Sequence, residues 1–318
     1  MTFLLATNKR DLTTDYVVRE LKERGHAFFR LNTETIAASF ITINPHNCSF
    51  ELKFSERRIS LDEIQAAYFR RPENPLKPSG NIAEHDWHYA AGEWNGLLKS
   101  LYLAVGNRWL SHPANIMLAE DKPRQLTTAL KVGFKIPRGV ITNHLEDVIA
   151  LSEFGKIIGK PLKSALVDES NTGSILFTSL MPGLTETDRD TVALCPAIYQ
   201  EAIEKEFDVR VTVVGNRVFP TAIYSQSAEI SRTDWRRGSN PDLPHHPIQV
   251  PSKIEVMCVQ LVRALDLRFG AIDLICDKQG EFWFLECNPN GQWAWIENRT
   301  GLPISAAIVD ELERIASV

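Results

Sequence analysis

The sequence predicts an α/β (α+β) protein built from several lobes. Three observations lead there. A strand-helix-strand pattern opens the chain, antiparallel pairs with short turns fill its C-terminal part, and 318 residues with 44% hydrophobic content suffice for more than one core.

Residues 2–6 (TFLLA) read as a buried strand, and 13–24 place Val17, Val18 and Leu21 at helical spacing before Gly25 ends the turn. Strands are expected at 26–31, 49–54 and 66–70, and Trp87, Trp94, Leu97, Leu98, Leu101 and Val105 mark a long helix over 84–105. The texture changes near 112. A helix through Lys122 and Leu130 is closed by Gly133, and Pro137 leads into a strand. GKIIGKPLKS (155–164) reads as a strand ending in lysine, and 165–177 as a polar loop of a kind that covers phosphates. AIYQEAI (197–203), DVRVTVV (208–214) and RVFPTAIYS (217–225) read as neighbouring antiparallel strands, the last two joined at Gly215-Asn216. A long polar loop at 226–251 precedes a helix at 252–266. The lobes expected are 1–112, 113–196 and 197–318.

A net charge of −5 with both signs mixed throughout argues against nucleic acid or an anionic membrane as the main partner. No apolar run approaches the roughly 18 residues of a membrane span, so a cytoplasmic protein is expected. The 5 cysteines lack a CxxC pair and read as reduced packing residues. His85, His88, His245 and His246 fit surface or core packing better than a metal site, and Phe282, Trp283 and Phe284 read as sheet core.

Chemistry concentrates in AIDLICDKQGEFWFLECNPN (271–290), two apolar strands turning at 277–280 in a register that sets Asp273 opposite Phe284. Alternation then puts Glu286 and Asn288 on one face, with Asp273 diagonally beside Glu286. Two carboxylates and an amide oxygen suit magnesium, which takes hard oxygen donors and completes its shell with water and phosphate. A solvated acid at a strand end is the ordinary reading of any single Asp or Glu, but apolar neighbours at Ile272, Leu274, Phe284 and Leu285 weigh against it.

Lys122 at a helix start and Lys160 on a strand can present ammonium groups to ATP phosphates from different sides, with Lys163 a third contact or simply exposed. The segment Gln200-Glu201-Ala202-Ile203 suits an adenine edge, read through the backbone at Glu201 and Ile203. Asp208 is placed to accept ribose hydroxyls and Arg210, two residues on, to share its face; a structural Asp–Arg pair is the competing reading.

Taken together, Lys122, KP at 160–161, QEAIEKEFDVRVTVVG (200–215), FGAIDLI (269–275) and FLECNPNGQW (284–293) resemble the ATP-grasp superfamily. YFRRP (68–72), SRTDWRRG (231–238) and NPNGQW resemble more closely its ribosomal peptide maturases, the graspetide or microviridin-type macrocyclases, over almost the whole chain. Only Gly173 stands in the phosphate loop, where relatives often carry several glycines.

The resemblance implies an N-terminal pre-ATP-grasp α/β lobe, a central lobe and a C-terminal antiparallel lobe. It also implies ATP and Mg2+ as cofactors and a ribosomal precursor peptide, leader plus acidic core, as partner. Such ligases phosphorylate an Asp or Glu side chain and close an ester or amide with Thr, Ser or Lys. On this pattern Asp273, Glu286 and Asn288 hold magnesium, Lys122 and Lys160 the phosphates, and Arg210 the acyl phosphate. Arg70, Arg71, Trp235, Arg236 and Arg237 meet the peptide, and a homodimer is expected. The alternatives are an ATP-grasp ligase of amino acids or small metabolites, and a nucleotide-binding regulator without turnover.

Overall fold

The computed structural model describes residues 1–47, 49–54, 57–163, 178–227 and 243–318. β1 (Thr2–Thr7) leads into α1 (Leu12–Glu23), whose first turn is capped by Asp11 accepting from the Thr14 N–H at 3.0 Å. Gly25 ends the helix at φ +72°, a left-handed conformation that a side chain would oppose. β2 (Ala27–Asn32) follows. Next comes an antiparallel meander of β3 (Phe40–Asn44), β4 (Ser49–Phe54) and β5 (Arg57–Ser60), and then β6 (Ala66–Phe69). The order β2-β1-β6 is all parallel, as the β-α-β opening requires. α2 spans Glu84–Val105, and its C-terminal Leu98, Leu101 and Val105 enter the lobe's core with Trp109.

α3 (Pro113–Ala119) and α4 (Lys122–Val132) come next, then β7 (Gly139–Thr142), α5 (Leu145–Ser152), β8 (Ile157–Pro161), β9 (Ser179–Leu180), α6 (Arg189–Ala193) and β10 (Ala197–Glu201). The last four strands form an antiparallel sheet ordered β7-β10-β8-β9 over a small core of Leu145, Val148, Leu151, Ile157 and Tyr199. Here the structure corrects the expected neighbours: β10 pairs with β7 and β8, not with the strand that follows it. Residues 202–204 carry the chain across to β11 (Lys205–Val214), which begins a separate sheet.

That sheet adds β12 (Arg217–Ile223) and β13 (His245–Pro247), then, after α7 (Ser252–Ala264), β14 (Phe269–Asp277) and β15 (Phe282–Asn288), in the order β13-β12-β11-β14-β15. One face of β11 is Val209, Val211 and Val213, which meet Ile272, Leu274, Phe284 and Cys287, with Met257, Cys258, Leu261 and Val262 of α7 above them. Each such side chain contributes about 1.5–3 kcal/mol on burial. Ile116, Ala119 and Ala129 join this core. The segment from 113 to about 134 therefore packs on the C-terminal sheet, although its sequence position suggested the central lobe. α8 (Ala294–Thr300) and α9 (Ile304–Ala316) return to the first lobe, burying Ile296, Ile304, Ile308 and Leu312 against Phe3, Leu5, Val17 and Leu21. No helix among the described residues is long and apolar enough to cross a membrane.

Candidate active site

The face of β11 opposite its valines carries Asp208, Arg210 and Thr212, all buried. Arg210 lies in register with Asp273 of β14, and Asp273 with Glu286 of β15, so a guanidinium and two carboxylates form one row across three strands. Asp273 was expected opposite Phe284. Instead Leu274 opposes Phe284, and a β-bulge at the next step restores Glu286 to a position directly across from Asp273. The extra residue changes the parity of β15. Phe284 and Cys287 consequently both enter the core, while Glu286 and Asn288 share the open face.

The groups touch. Arg210 donates to Asp273 Oδ2 at 2.9 Å, Asn288 Nδ2 donates to the same oxygen at 2.9 Å and to Glu286 Oε1 at 3.4 Å, and Lys122 Nζ stands 3.9 Å from Glu286 Oε2. Lys122 is the first residue of α4, whose cap is Asp121 accepting from the Arg124 N–H at 2.7 Å. Its ammonium also donates to the Pro161 carbonyl at 2.8 Å, tying α4 to β8 of the central lobe. Two cations thus flank two carboxylates at the junction of the lobes.

A cleft of about 940 Å3 opens at the Glu286 end of this row, with Arg71, Lys122, Lys163, Glu286, Asn288 and Asn290 on its walls. Lys160 does not line it. It lies in register with Ile198, so it shares the sheet face of Ile198 and Gln200, opposite the face of Tyr199. That face carries a buried polar atom, Gln200 Oε1, without a hydrogen bond among the described residues. At the end of β10 the Glu201 and Ala202 N–H groups are taken by Arg138 O and Lys156 O, each at 2.8 Å. The Glu201 carbonyl and the Ile203 N–H enter none of the backbone bonds outside helices and ladders among the described residues. An adenine edge requires one acceptor and one donor of this kind.

Asp208 has protein partners: Lys205 Nζ donates to both of its oxygens at 2.8 Å, and Ser225 Oγ donates to Oδ2. Lys205 escaped the sequence reading because its charge sits in EKEF, which has the look of a solvated turn; its side chain is in fact only 9% exposed.

The two first-lobe arginines differ. Arg71 lies in the cleft wall at φ +44°, and partial burial, then the charge of Arg70 and more distantly Arg210, depress its pKa. Arg70, expected to reach a peptide, is 1% exposed. It pairs with Asp11 Oδ2 at 3.2 Å and donates to the Asn290 carbonyl and to Asn290 Oδ1, so it braces the loop after β15 against the first lobe. Trp235, Arg236 and Arg237, and Gly173 with its loop, lie outside the described residues. His85 and His88 are exposed on α2, while His245 packs edge-on against Trp295 and contacts Arg299 through Nδ1.

Residues 119–312 match the model of the RimK-like ATP-grasp domain. The chain belongs to that family. The matched region contains α4 with Lys122, the strand pair of Asp273 and Glu286, and the segment between β10 and β11, so the ATP-grasp domain holds the entire acid row. Three solved structures resemble the chain from end to end. A ligase of Chryseobacterium gregarium associated with ribosomally synthesised, post-translationally modified peptides, solved with ADP and a leader and core peptide, aligns at TM-score 0.90 and 27% identity over 98% of this chain and 96% of that one. The macrocyclase MdnC of Microcystis aeruginosa MRC, bound to the precursor peptide MdnA, aligns at 0.83 and 25% over 99% and 100%. The macrocyclase MdnB of the same organism aligns at 0.78 and 27% over 98% of each chain. No curated protein matches the chain by sequence.

The donor set of this ATP-grasp domain fits a divalent cation. Among the described residues no group of three His, Cys, Asp or Glu side chains could hold a metal ion; the candidate donors here are two carboxylates and the Asn288 amide. Two carboxylates on directly opposed strand positions repel one another. The Asn288 NH2 now stands between them, and a half-turn of that amide would offer its oxygen to an ion instead.

Proposed function

We propose that this ATP-grasp protein is an ADP-forming carboxylate ligase that closes macrocycles in a ribosomally made precursor peptide. The observation that carries the reading is its end-to-end likeness to peptide ligases solved with ADP and with leader, core or precursor peptide. The γ-phosphoryl of ATP passes to an Asp or Glu side chain of the peptide, giving an acyl phosphate and ADP. A Thr or Ser hydroxyl, or a Lys amine, on the same peptide then attacks the acyl carbon. The C–O bond to phosphate breaks, phosphate leaves, and the nucleophile's proton passes to phosphate or solvent.

No nucleophile from the protein is required, so catalysis rests on holding the reactants and stabilising their charge. Magnesium held by Asp273, Glu286 and Asn288 would neutralise phosphate charge. Lys122 suits the phosphates, and the position of its ammonium between the acid row and the central lobe supports that role. Lys160, on the central-sheet face of Gln200, suits a second phosphate contact. The Glu201 carbonyl and Ile203 N–H suit the adenine edge, with Asp208 and Lys205 nearby for the ribose. Arg210, held by Asp273 in the same row, suits stabilisation of the acyl phosphate. Arg71, at the mouth of the same cleft, suits an incoming carboxylate. Trp235, Arg236 and Arg237 complete the proposed peptide contacts.

The test is incubation with ATP, magnesium and an acidic peptide encoded beside the gene. Loss of one water per ring, with matching ADP release, supports macrocyclisation. Gain of mass by an added amino acid would assign the site to a different ATP-grasp ligase, and nucleotide binding without turnover across a broad peptide panel would favour a regulator.

A further inference from the structure

Gln125 is 3% exposed, and its carboxamide makes three hydrogen bonds, using both amide hydrogens and one lone pair of the oxygen. Nε2 donates to the Cys287 carbonyl at 2.7 Å and to the Ala119 carbonyl at 2.6 Å, while Oε1 accepts from the Cys287 N–H at 2.8 Å. Cys287 is the residue between Glu286 and Asn288, and β15 is the outer strand of its sheet, whose outward backbone meets Lys135 at Trp283 and Phe284 but no strand at Cys287. The side chain of Gln125 makes the two bonds that a neighbouring strand would make. Three residues earlier on α4 is Lys122, whose ammonium is 3.9 Å from Glu286. One helix therefore carries both the cation that faces the acid row and the amide that grips the strand bearing it.

We propose that Gln125 is a positioning residue that sets the spacing between the Lys122 ammonium and the Glu286–Asn288 ion site, so that cation and nucleotide bind as one unit. The inference rests on the magnesium-nucleotide reading of the cleft. Cys287 places its side chain in the core, so what Gln125 holds is backbone alone, and its grip passes directly to the two flanking donors. Supporting groups of this kind typically change metal affinity by about 10–100-fold when removed.

The experiment measures ADP affinity by calorimetry with and without Mg2+ in the wild-type, Gln125→Met and Gln125→Glu proteins, each checked for fold by circular dichroism. Methionine keeps the length and removes the pairing. Glutamate keeps the acceptor but sets an oxygen against two carbonyls. The expected result is that Mg2+ tightens ADP binding in the wild type and that this enhancement falls by at least about 10-fold in both folded variants. A lowered melting temperature with undiminished enhancement would make Gln125 purely structural and overturn the proposal. If the wild type binds ADP with no effect of Mg2+, the metal reading fails first and the proposal with it. Should neither variant fold, hydrogen exchange of the wild type decides. Mg2+ added to the ADP complex should raise protection in the segment containing Cys287 and in α4 together, and protection of one without the other overturns the coupling.

Discussion

Replacing Glu286 with Gln removes one charge from the acid row and leaves its shape. Glu286 Oε2 is 3.9 Å from Lys122 Nζ, a separation at which a pair of unit charges attracts by about 4 kcal/mol in an effective dielectric near 20. The net value is far smaller. Both side chains are mostly withdrawn from water, at 16% and 19% exposure, so desolvation offsets the attraction, and Asp273 directly across the ladder repels the carboxylate. The Asn288 bond survives because glutamine retains an acceptor at Oε1. Stability should therefore change by no more than about 1 kcal/mol. Turnover should fall steeply, since Glu286 is proposed to hold the magnesium that stabilises the transferring phosphoryl group, and loss of one such electrostatic stabiliser costs about 2.7–4 kcal/mol, or 10²–10³ in kcat. ADP release in the presence of precursor peptide measures the rate, and a melting curve checks the fold. An unchanged kcat in a normally folded variant would refute the role of the acid row.

Three further outcomes follow from the same geometry. Arg70→Met should destabilise the protein by about 3–5 kcal/mol, because Asp11, itself 8% exposed, loses its buried partner and the Asn290 loop its donor; urea unfolding with tryptophan fluorescence measures this, and an unmoved transition contradicts the brace. Burial raises the Asp277 pKa, but bonds from Trp283 Nε1 and from the Glu281 and Gln279 N–H groups outweigh it and hold the carboxyl below its usual range. A depressed folded-state pKa adds stability that is fully present above the unfolded value and is lost as pH falls through the folded one. Asp277→Asn should therefore lower the melting temperature at neutral pH, with the difference shrinking below about pH 4, and a pH-independent difference would contradict this. Cys195 is exposed, whereas burial pushes the Cys287 thiol up to about 12 and Cys258 further still. Iodoacetamide on the native protein should mark Cys195 and spare those two, which peptide mapping reads directly.

The acid row was legible in the sequence through alternation, although its register was not. Glu286 and Asn288 two residues apart must share a strand face, and that survives any shift of the ladder. Whether Asp273 meets Glu286 directly or diagonally depends on a turn one residue longer than expected, which pairs Cys276 with Phe282, and on the bulge beyond it, and nothing in DKQGEFWFLE marks either extra residue. The same limit hid the change of sheet between β10 and β11. Both strands are apolar and alternating, and their partners, β7 with β8 on one side and β14 on the other, are chosen by packing across long stretches of chain.

Arg70 and Gln125 mark a deeper limit. Arg70 in RRP carries the same charge as Arg71, yet one braces a loop and the other lines the cleft, because the chain leaves β6 at Phe69 with Arg70 directed inward and turns at Arg71, where φ is +44°. Gln125 was invisible since its partners are backbone groups, which every residue carries, so that its function leaves no pattern of residue types. The parts that touch phosphate and metal must be chemically distinctive, and sequence reveals them. The parts that hold those groups at the right distance need only length and a hydrogen-bonding end, and in this chain they become recognisable when α4 is laid against the outer edge of β15.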